Sequence, residues 1–242
     1  MTNTNIKIAV VTPYKNEDVE YIQRCIDCIS NQSHPAYLHI IVSDGEKFPI
    51  AKEELPQHVH IIELPSGTED TGATPRAIGS IYAISQFTNG ISYLDIDNTV
   101  SEDHLKNAAE QYQLGAHVVI AERWICDDQT GEPMFVDNIE NGMQFADTNT
   151  LFLFERAMMP GTQWWQVPRK PGLRIAGVDR YTWKRVTQFT EKFHLKIAKT
   201  HDATVFYRSR WKHHYEKAGR TPPSPSKTLI RINGSYVAKW LD

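Results

Sequence analysis

The chain of 242 residues is 40% hydrophobic and carries a formal net charge of -3, from 26 Lys+Arg against 29 Asp+Glu. That length buries one large core without a second domain, and the near balance of charge excludes a global attraction to nucleic acid or to an anionic membrane surface. No apolar run approaches the ~20 residues that cross a bilayer and no signal pattern precedes the first strand, so the sequence predicts a cytoplasmic protein, at most peripheral to the inner face of the membrane, with no transmembrane segment.

Ile6 to Val11 is a β-branched run stopped by Thr12-Pro13, which reads as a buried strand feeding a loop. Asp18 to Asn31 then spaces Val19, Ile22, Ile26 and Ile29 along one face of a helix. Cys25 and Cys28 fall in that helix. With no second pair to complete four ligands and Cys126 far along the chain, the three cysteines read as core thiols rather than a zinc or redox centre. Leu38 to Val42 is a second strand ending at Ser43-Asp44-Gly45, and Val59 to Leu64 a third, leading into a Gly- and Thr-rich stretch from Pro65 to Pro75. Arg76 to Phe87 spaces Ile78, Ile81, Tyr82 and Ile84 for a helix that delivers the chain to a fourth strand, Ile91 to Leu94, ending in Asp95-Ile96-Asp97-Asn98.

Strands alternating with helices in this way predict an α/β, Rossmann-like fold with a mainly parallel central sheet flanked by helices. Ligands of such folds gather outside the carboxyl ends of the strands. Four polar signatures lie at such ends: Thr-Pro-Tyr, Ser-Asp-Gly, Ser-Gly-Thr and Asp-x-Asp.

The second half is less regular. A helix from about Glu102 to Tyr112 and a strand near Val118 to Glu122 precede a polar hairpin-like piece at Asp127 to Gly131. Asp147-Thr148-Asn149, Trp164-Trp165, Gly177-Val178-Asp179-Arg180 and a basic stretch from His201 to Tyr215 follow. Arg220 to Lys227, with three prolines, reads as a linker, and the apolar end from Leu229 to Leu241 as a tail packing back on the domain or on a partner. Residues 1–220 thus form one expected domain and residues 221–242 a Pro-rich linker and tail.

Asp95 and Asp97 carry the strongest local chemistry. Mg²⁺ and Mn²⁺ prefer oxygen ligands, usually one or two carboxylates with water and substrate phosphates completing the shell. In an extended strand, residues two apart point the same way, so one carboxylate can ligate the metal while the other holds a ribose or a metal-bound water. The bland alternative is a pair of solvated acids at a turn before the next helix.

Taken together, Val11-Thr12-Pro13-Tyr14-Lys15-Asn16, Val42-Ser43-Asp44-Gly45, Gly72-Ala73-Thr74-Pro75-Arg76 and Leu94-Asp95-Ile96-Asp97-Asn98 resemble, in order and spacing, the inverting glycosyltransferases of family 2 with the GT-A fold. The resemblance implies a nucleotide-sugar-binding half at 1–100 and an acceptor-binding half at 101–220. Thr12, Pro13 and Tyr14 would line the base and ribose pocket, with Asn16 tightening the loop. Asp44 would accept a hydrogen bond from the base, favouring uracil, thymine or guanine and hence a UDP, dTDP or GDP donor. Arg76 would lie near ribose or diphosphate, Asp95 would face the ribose, and Asp97 would bind the divalent metal, Mn²⁺ or Mg²⁺.

The same resemblance makes Asp179 the candidate base, in a position where the family carries an acidic residue before a helix. The commoner Glu-Asp pair is replaced here by Val178-Asp179, and helix capping is the competing role. Trp164-Trp165 would supply an acceptor wall, and Asp147 would lie close to the donor sugar or acceptor. His214 would complete the metal shell, with His201 the alternative, among cations that neutralise the departing diphosphate. The implied acceptor is a glycan or another hydroxyl compound, in surface-polysaccharide or glycan synthesis, and a homo-oligomer is left open. Two other classes fit parts of the pattern: a sugar-phosphate nucleotidyltransferase, which would need a Gly-rich basic loop after the first strand, and a non-catalytic nucleotide-sugar-binding module.

Overall fold

The computed structural model describes residues 6–137, 142, 145–166, 177–232 and 235–241. Its parallel half is built from β1 (Ile8–Tyr14), α1 (Val19–Ser30), β2 (Leu38–Ser43), β3 (Val59–Glu63), α2 (Ala73–Ser85) and β4 (Gly90–Tyr93). These four strands lie in the order β3-β2-β1-β4, all parallel, so their carboxyl ends share one edge. Period-two alternation sorts β1 between two helical layers. Ile8 and Val10 enter a core with Ile22, Cys25, Ile26 and Ile29 of α1, while Ala9 and Val11 enter the opposite core beside Ala73, Ala77 and Ala83 of α2. Each isoleucine so buried contributes about 1.5–3 kcal/mol.

The remaining strands and α-helices among the described residues are β5 (Thr99–Val100), α3 (His104–Gln113), β6 (Val118–Asp127), β7 (Pro133–Asp137), β8 (Leu151–Phe154), α4 (Val178–Phe193), β9 (Ile197–Ser209), α5 (Lys212–Lys217), β10 (Ser226–Ile232) and β11 (Ser235–Leu241), with 3-10 helices at Lys52–Glu54, Thr148–Thr150 and Glu155–Gln166. β8 is antiparallel to both β4 and β6 and extends the sheet toward β9, so the parallel half is continued by a mixed half. All three cysteines are free, and Cys25 and Cys28 sit on α1 with Cys28 donating to the Cys25 carbonyl at 3.2 Å.

Three local differences from the sequence reading have physical reasons. β1 continues through Thr12-Pro13 to Tyr14. Its pairing with β4 stops at Val11 while that with β2 runs on, so Pro13, which has no N–H to give, sits where the strand has one neighbour. Asp95 and Asp97 lie in a turn beyond β4 rather than in an extended strand, with the Asn98 amide donating to the Asp95 carbonyl at 3.0 Å. The two carboxylates are therefore aimed by that turn and not by strand alternation. Finally, Ser226 and Lys227, read as linker, open β10, which pairs in register with β11 as an antiparallel hairpin. The hairpin is tied to the body through the Lys227 amide, which donates to the Arg210 carbonyl at 2.6 Å.

Candidate functional site

The carboxyl ends of β1, β2 and β4 surround a hollow of about 620 Å³ whose lining includes Pro13, Tyr14, Asn16, Asp44, Arg76 and Asp97. Its rim is held by tight backbone. Gly45 has φ 87°, and a Cβ there would meet the Gly67 amide nitrogen at 2.0 Å, so the loop after β2 and the loop after β3 touch where only glycine fits. Asn16 adopts φ 59°, a left-handed conformation that asparagine tolerates better than most residues. Buried Asp44 accepts from the Thr68 amide at 2.9 Å and hydroxyl at 2.8 Å through Oδ1, and its Oδ2 faces the Lys15 ammonium at 4.0 Å. Asp70 accepts from the Thr74 amide at 3.0 Å and so satisfies an open N–H in the first turn of α2.

Six carboxylates line this hollow, those of Glu17, Asp44, Glu46, Glu69, Asp95 and Asp97, against the three cations Lys15, Arg76 and Lys227. Asp97 reaches solvent within the hollow. The protein around it, and then the neighbouring charges of Asp95 and Glu17, push its carboxyl up to about 7. Carboxylates crowded in this way lose their mutual repulsion when a cation enters. Among the described residues no three His, Cys, Asp or Glu side chains are grouped closely enough to cage a metal by themselves. The residues that could hold a hard divalent ion are the carboxylates of Asp95 and Asp97, and such an ion would need water and phosphate oxygens for its remaining ligands, as Mg²⁺ commonly does.

Under the hollow runs a continuous polar chain. Arg76, on the first turn of α2, pairs with Asp95, and its guanidinium lies 5.5 Å over the Trp164 ring. Asn149 Nδ2 donates to Asp95 Oδ2 at 3.2 Å and to Asp147 Oδ1 at 2.8 Å. Asp147 in turn pairs with Arg123, which also donates to Asp137 Oδ2 at 2.7 Å and 3.0 Å. Burial alone disfavours the charged form of Arg123, but Asp147 and Asp137 outweigh it and hold its proton more tightly than usual.

The far end of this chain lies in a second hollow of about 650 Å³, which shares Thr71, Arg76, Asp95 and Lys227 with the first. Here Asp179 stands in the first turn of α4, its Oδ1 accepting from the Arg180 amide at 2.8 Å. Burial and then the charge of Asp147 raise its carboxyl to about 6, against the opposing pull of Arg180 and Arg123. His214 lies on the same wall, buried, with Nδ1 2.6 Å from the Ser209 hydroxyl. Burial and the neighbouring His213, Arg123 and Lys217 push its pKa down to about 2, so the ring is neutral. A neutral imidazole is the form that ligates metals.

The Glycosyl transferase family 2 profile matches residues 9–209. The chain belongs to glycosyl transferase family 2. It is similar in structure to residues 1–349 of S. aureus TarS in complex with UDP, at 14% identity and a TM-score of 0.61, over 88% of this chain and 63% of that one. It is similar also to the same protein in complex with UDP-GlcNAc, at 15% identity and a TM-score of 0.62, over 87% of this chain and 61% of that one. This family 2 chain thus has the GT-A fold and spans somewhat less than two thirds of the length of those structures. No curated protein matches its sequence.

Within this family 2 fold, the residues singled out from sequence fall into three groups. Pro13, Tyr14, Asn16, Asp44, Arg76, Asp95 and Asp97 line the first hollow, and Asp147, Asp179 and His214 the second. Thr12 does neither. It is fully buried, and its hydroxyl lies 2.9 Å from His39 Nε2 in the core beneath β1. Trp164 is fully buried too, edge-on to Tyr93 with ring centroids 5.3 Å apart, so it supports Arg76 from below instead of forming an acceptor wall. The Trp165 side chain lies outside the described residues. His201 is exposed on β9, away from both hollows. The basic stretch is mostly committed elsewhere, with Arg208 donating to the Asp128 carbonyl at 2.8 Å and Arg210 to its carboxylate at 2.7 Å.

Sequence reasoning missed Arg123, Lys227 and the aromatic wall of Phe145, Tyr207, Trp211 and Trp240. A signal for Arg123 was its place, beside Glu122, in the otherwise apolar run Val118 to Ile125, because a charge buried there must find partners.

Proposed function

We propose that this glycosyltransferase moves a sugar from a nucleoside-diphosphate donor to a hydroxyl acceptor with inversion, using Asp179 as the base. The observation that carries this reading is the joining of two hollows at the Arg76–Asp95 pair, one with Asp44 and Asp97 and the other with Asp179. In this reading the base and ribose lie against Pro13, Tyr14 and Asp44, and the diphosphate lies toward Arg76 and Asp97. UDP is the first donor type to test, since the TarS structures hold UDP and UDP-GlcNAc, with dTDP and GDP types next.

The acceptor enters the second hollow and presents its hydroxyl to Asp179. A carboxylate held near pH 6 is ionised at neutral pH yet basic enough to take a proton as the new bond forms. One base acting across the sugar from the departing diphosphate is the arrangement that inverts the anomeric centre in a single displacement. Asp97 would hold a divalent cation, Mn²⁺ or Mg²⁺, whose chemistry would be neutralisation of charge on the leaving diphosphate. His214, the nitrogen ligand expected from sequence, lines the second hollow and not the first, so water and phosphate oxygens would complete the shell. A glycan acceptor in surface-polysaccharide synthesis suits the aromatic wall.

A thermal-shift screen of UDP, dTDP and GDP, with and without Mn²⁺, tests the donor and metal together. A metal-dependent rise in Tm with one base supports the reading, and no shift with any of the three overturns it. Product anomers determined by NMR test the inversion.

A further inference from the structure

The donor hollow needs positive charge for a diphosphate, and two of its three cations are already engaged. Arg76 is paired with Asp95 and Lys15 with Glu69. Lys227 makes no ion pair within 4.0 Å with any described residue, although Asp97 and Asp95 both act on it electrostatically. It is one of the four residues lining both hollows. Its ammonium stands 4.7 Å over the Trp240 ring, so the two strands of the C-terminal hairpin hold each other's side chains at the junction. Arg210, the next cation, lies 5.8 Å from the same ring but is committed to Asp128. An ammonium with no ion-pair partner among the described residues, set on an indole at the meeting point of two hollows, is placed to accept one.

Resting on the donor reading above, we propose that Lys227 is a phosphate-binding residue of the donor site, supplied by the C-terminal hairpin, which contacts the diphosphate and not the nucleoside. The hairpin then does two things at once. Lys227 reads the phosphates, while Leu229, Ala238 and Trp240 wall the acceptor hollow. Donor binding therefore steadies the acceptor wall.

The test compares the wild-type full chain with K227M and K227R in binding UDP, dTDP and GDP, each beside its parent nucleoside, by calorimetry with competition for the weak ligands. Lys227→Met weakens the diphosphate by at least about tenfold and leaves the nucleoside unchanged. Lys227→Arg, which keeps the charge, stays within about threefold of wild type. In the wild-type protein the diphosphate, and not the nucleoside, protects Lys227 from an amine-acylating reagent read by peptide mass spectrometry, which serves even if K227M folds poorly. Equal losses of diphosphate and nucleoside affinity would mean that Lys227 only props the hairpin, and unchanged diphosphate affinity or absent protection likewise overturns the proposal alone. Wild-type protein that binds none of the three diphosphates overturns the donor reading and this proposal with it.

Discussion

Asn149 clamps Asp95 from two sides: its Oδ1 accepts from the Asp95 amide at 2.6 Å and its Nδ2 donates to the Asp95 carboxylate at 3.2 Å. Asn149 is fully buried and also donates to Asp147, so one amide sets the spacing between a carboxylate of the donor hollow and one of the acceptor hollow. Asn149→Ala leaves those groups without their partner at an expected cost of about 2–3 kcal/mol in urea denaturation. Asn149→Asp is the sharper probe. It keeps the size but sets a third carboxylate between Asp95 and Asp147, so it is expected to melt lower than the alanine variant at neutral pH. Equal or higher stability of the aspartate variant would show that the amide is not the spacer.

Arg123 is the other end of the same chain. Truncating it leaves Asp137 and Asp147 facing each other in the interior without their shared cation, and breaking such a buried pair costs about 3–5 kcal/mol. We expect Arg123→Ala to lose that much in denaturant unfolding. Arg123→Lys is expected to recover only part of it, since an ammonium cannot reproduce the fork that bonds Asp137 through Nε and Nη2. Full recovery by lysine would show that charge alone, without geometry, sets the interaction.

These two residues show where the sequence stopped being legible. Strand exits are local: Pro13, Asp44 and Asp97 each follow an apolar run, and the run announces them. The parallel half of the fold and the first hollow were readable on that basis. The second hollow depends on pairings such as Arg123 with Asp147, 24 residues apart, and on a strand order in which β8 slots between β4 and β6. No local pattern encodes either. Lys227 was hidden for a different reason, since the prolines preceding it signal a break, and a break does not say what the next strand will pack against. Trp164 failed through ambiguity of burial, because a tryptophan beside a site serves equally as wall or as foundation, and tertiary packing made it the foundation of Arg76.

Gly45 carries a backbone prediction. At φ 87° with the Gly67 amide where a Cβ would sit, Gly45→Ala combines a left-handed penalty of about 1–2 kcal/mol with a backbone clash. The expected loss is above about 2 kcal/mol, with weakened nucleoside affinity as the loop bearing Asp44 moves. A variant as stable as wild type would mean that the loops after β2 and β3 separate freely.

Asp97 separates stability from function. The protein surrounding its carboxyl, together with Asp95 and Glu17, outweighs the opposing pull of Lys227 and makes its charge unfavourable in the unliganded protein, so its proton is bound more tightly folded than unfolded. The associated stability is gained as pH falls through about 7 and is absent above it. Asp97→Asn removes the charge, and we expect the unliganded variant to melt at or above wild type at pH 8 while losing the Mn²⁺-dependent part of the nucleoside-diphosphate shift. A variant that keeps the Mn²⁺ effect removes Asp97 from the metal.

Asp179 gives the pH profile its acid limb. A base must be ionised to take a proton, and its raised carboxyl is half protonated near pH 6. The transfer rate at saturating donor is therefore expected to be flat above about pH 7 and to fall tenfold per unit well below pH 6. The sign is fixed by the direction of the shift, since an unperturbed aspartate would hold the plateau down to about pH 4. Asp179→Asn keeps the side-chain shape at the start of α4 and is expected to retain nucleoside-diphosphate affinity while lowering turnover by about 10²–10⁴. Charge relief compensates for any lost capping, because burial and Asp147 disfavour the carboxylate in the resting protein, so the variant is expected to melt no lower than wild type. If turnover survives in the asparagine variant, or if its acid limb stays where it was, the proton leaves the acceptor by another route and Asp179 serves only the helix.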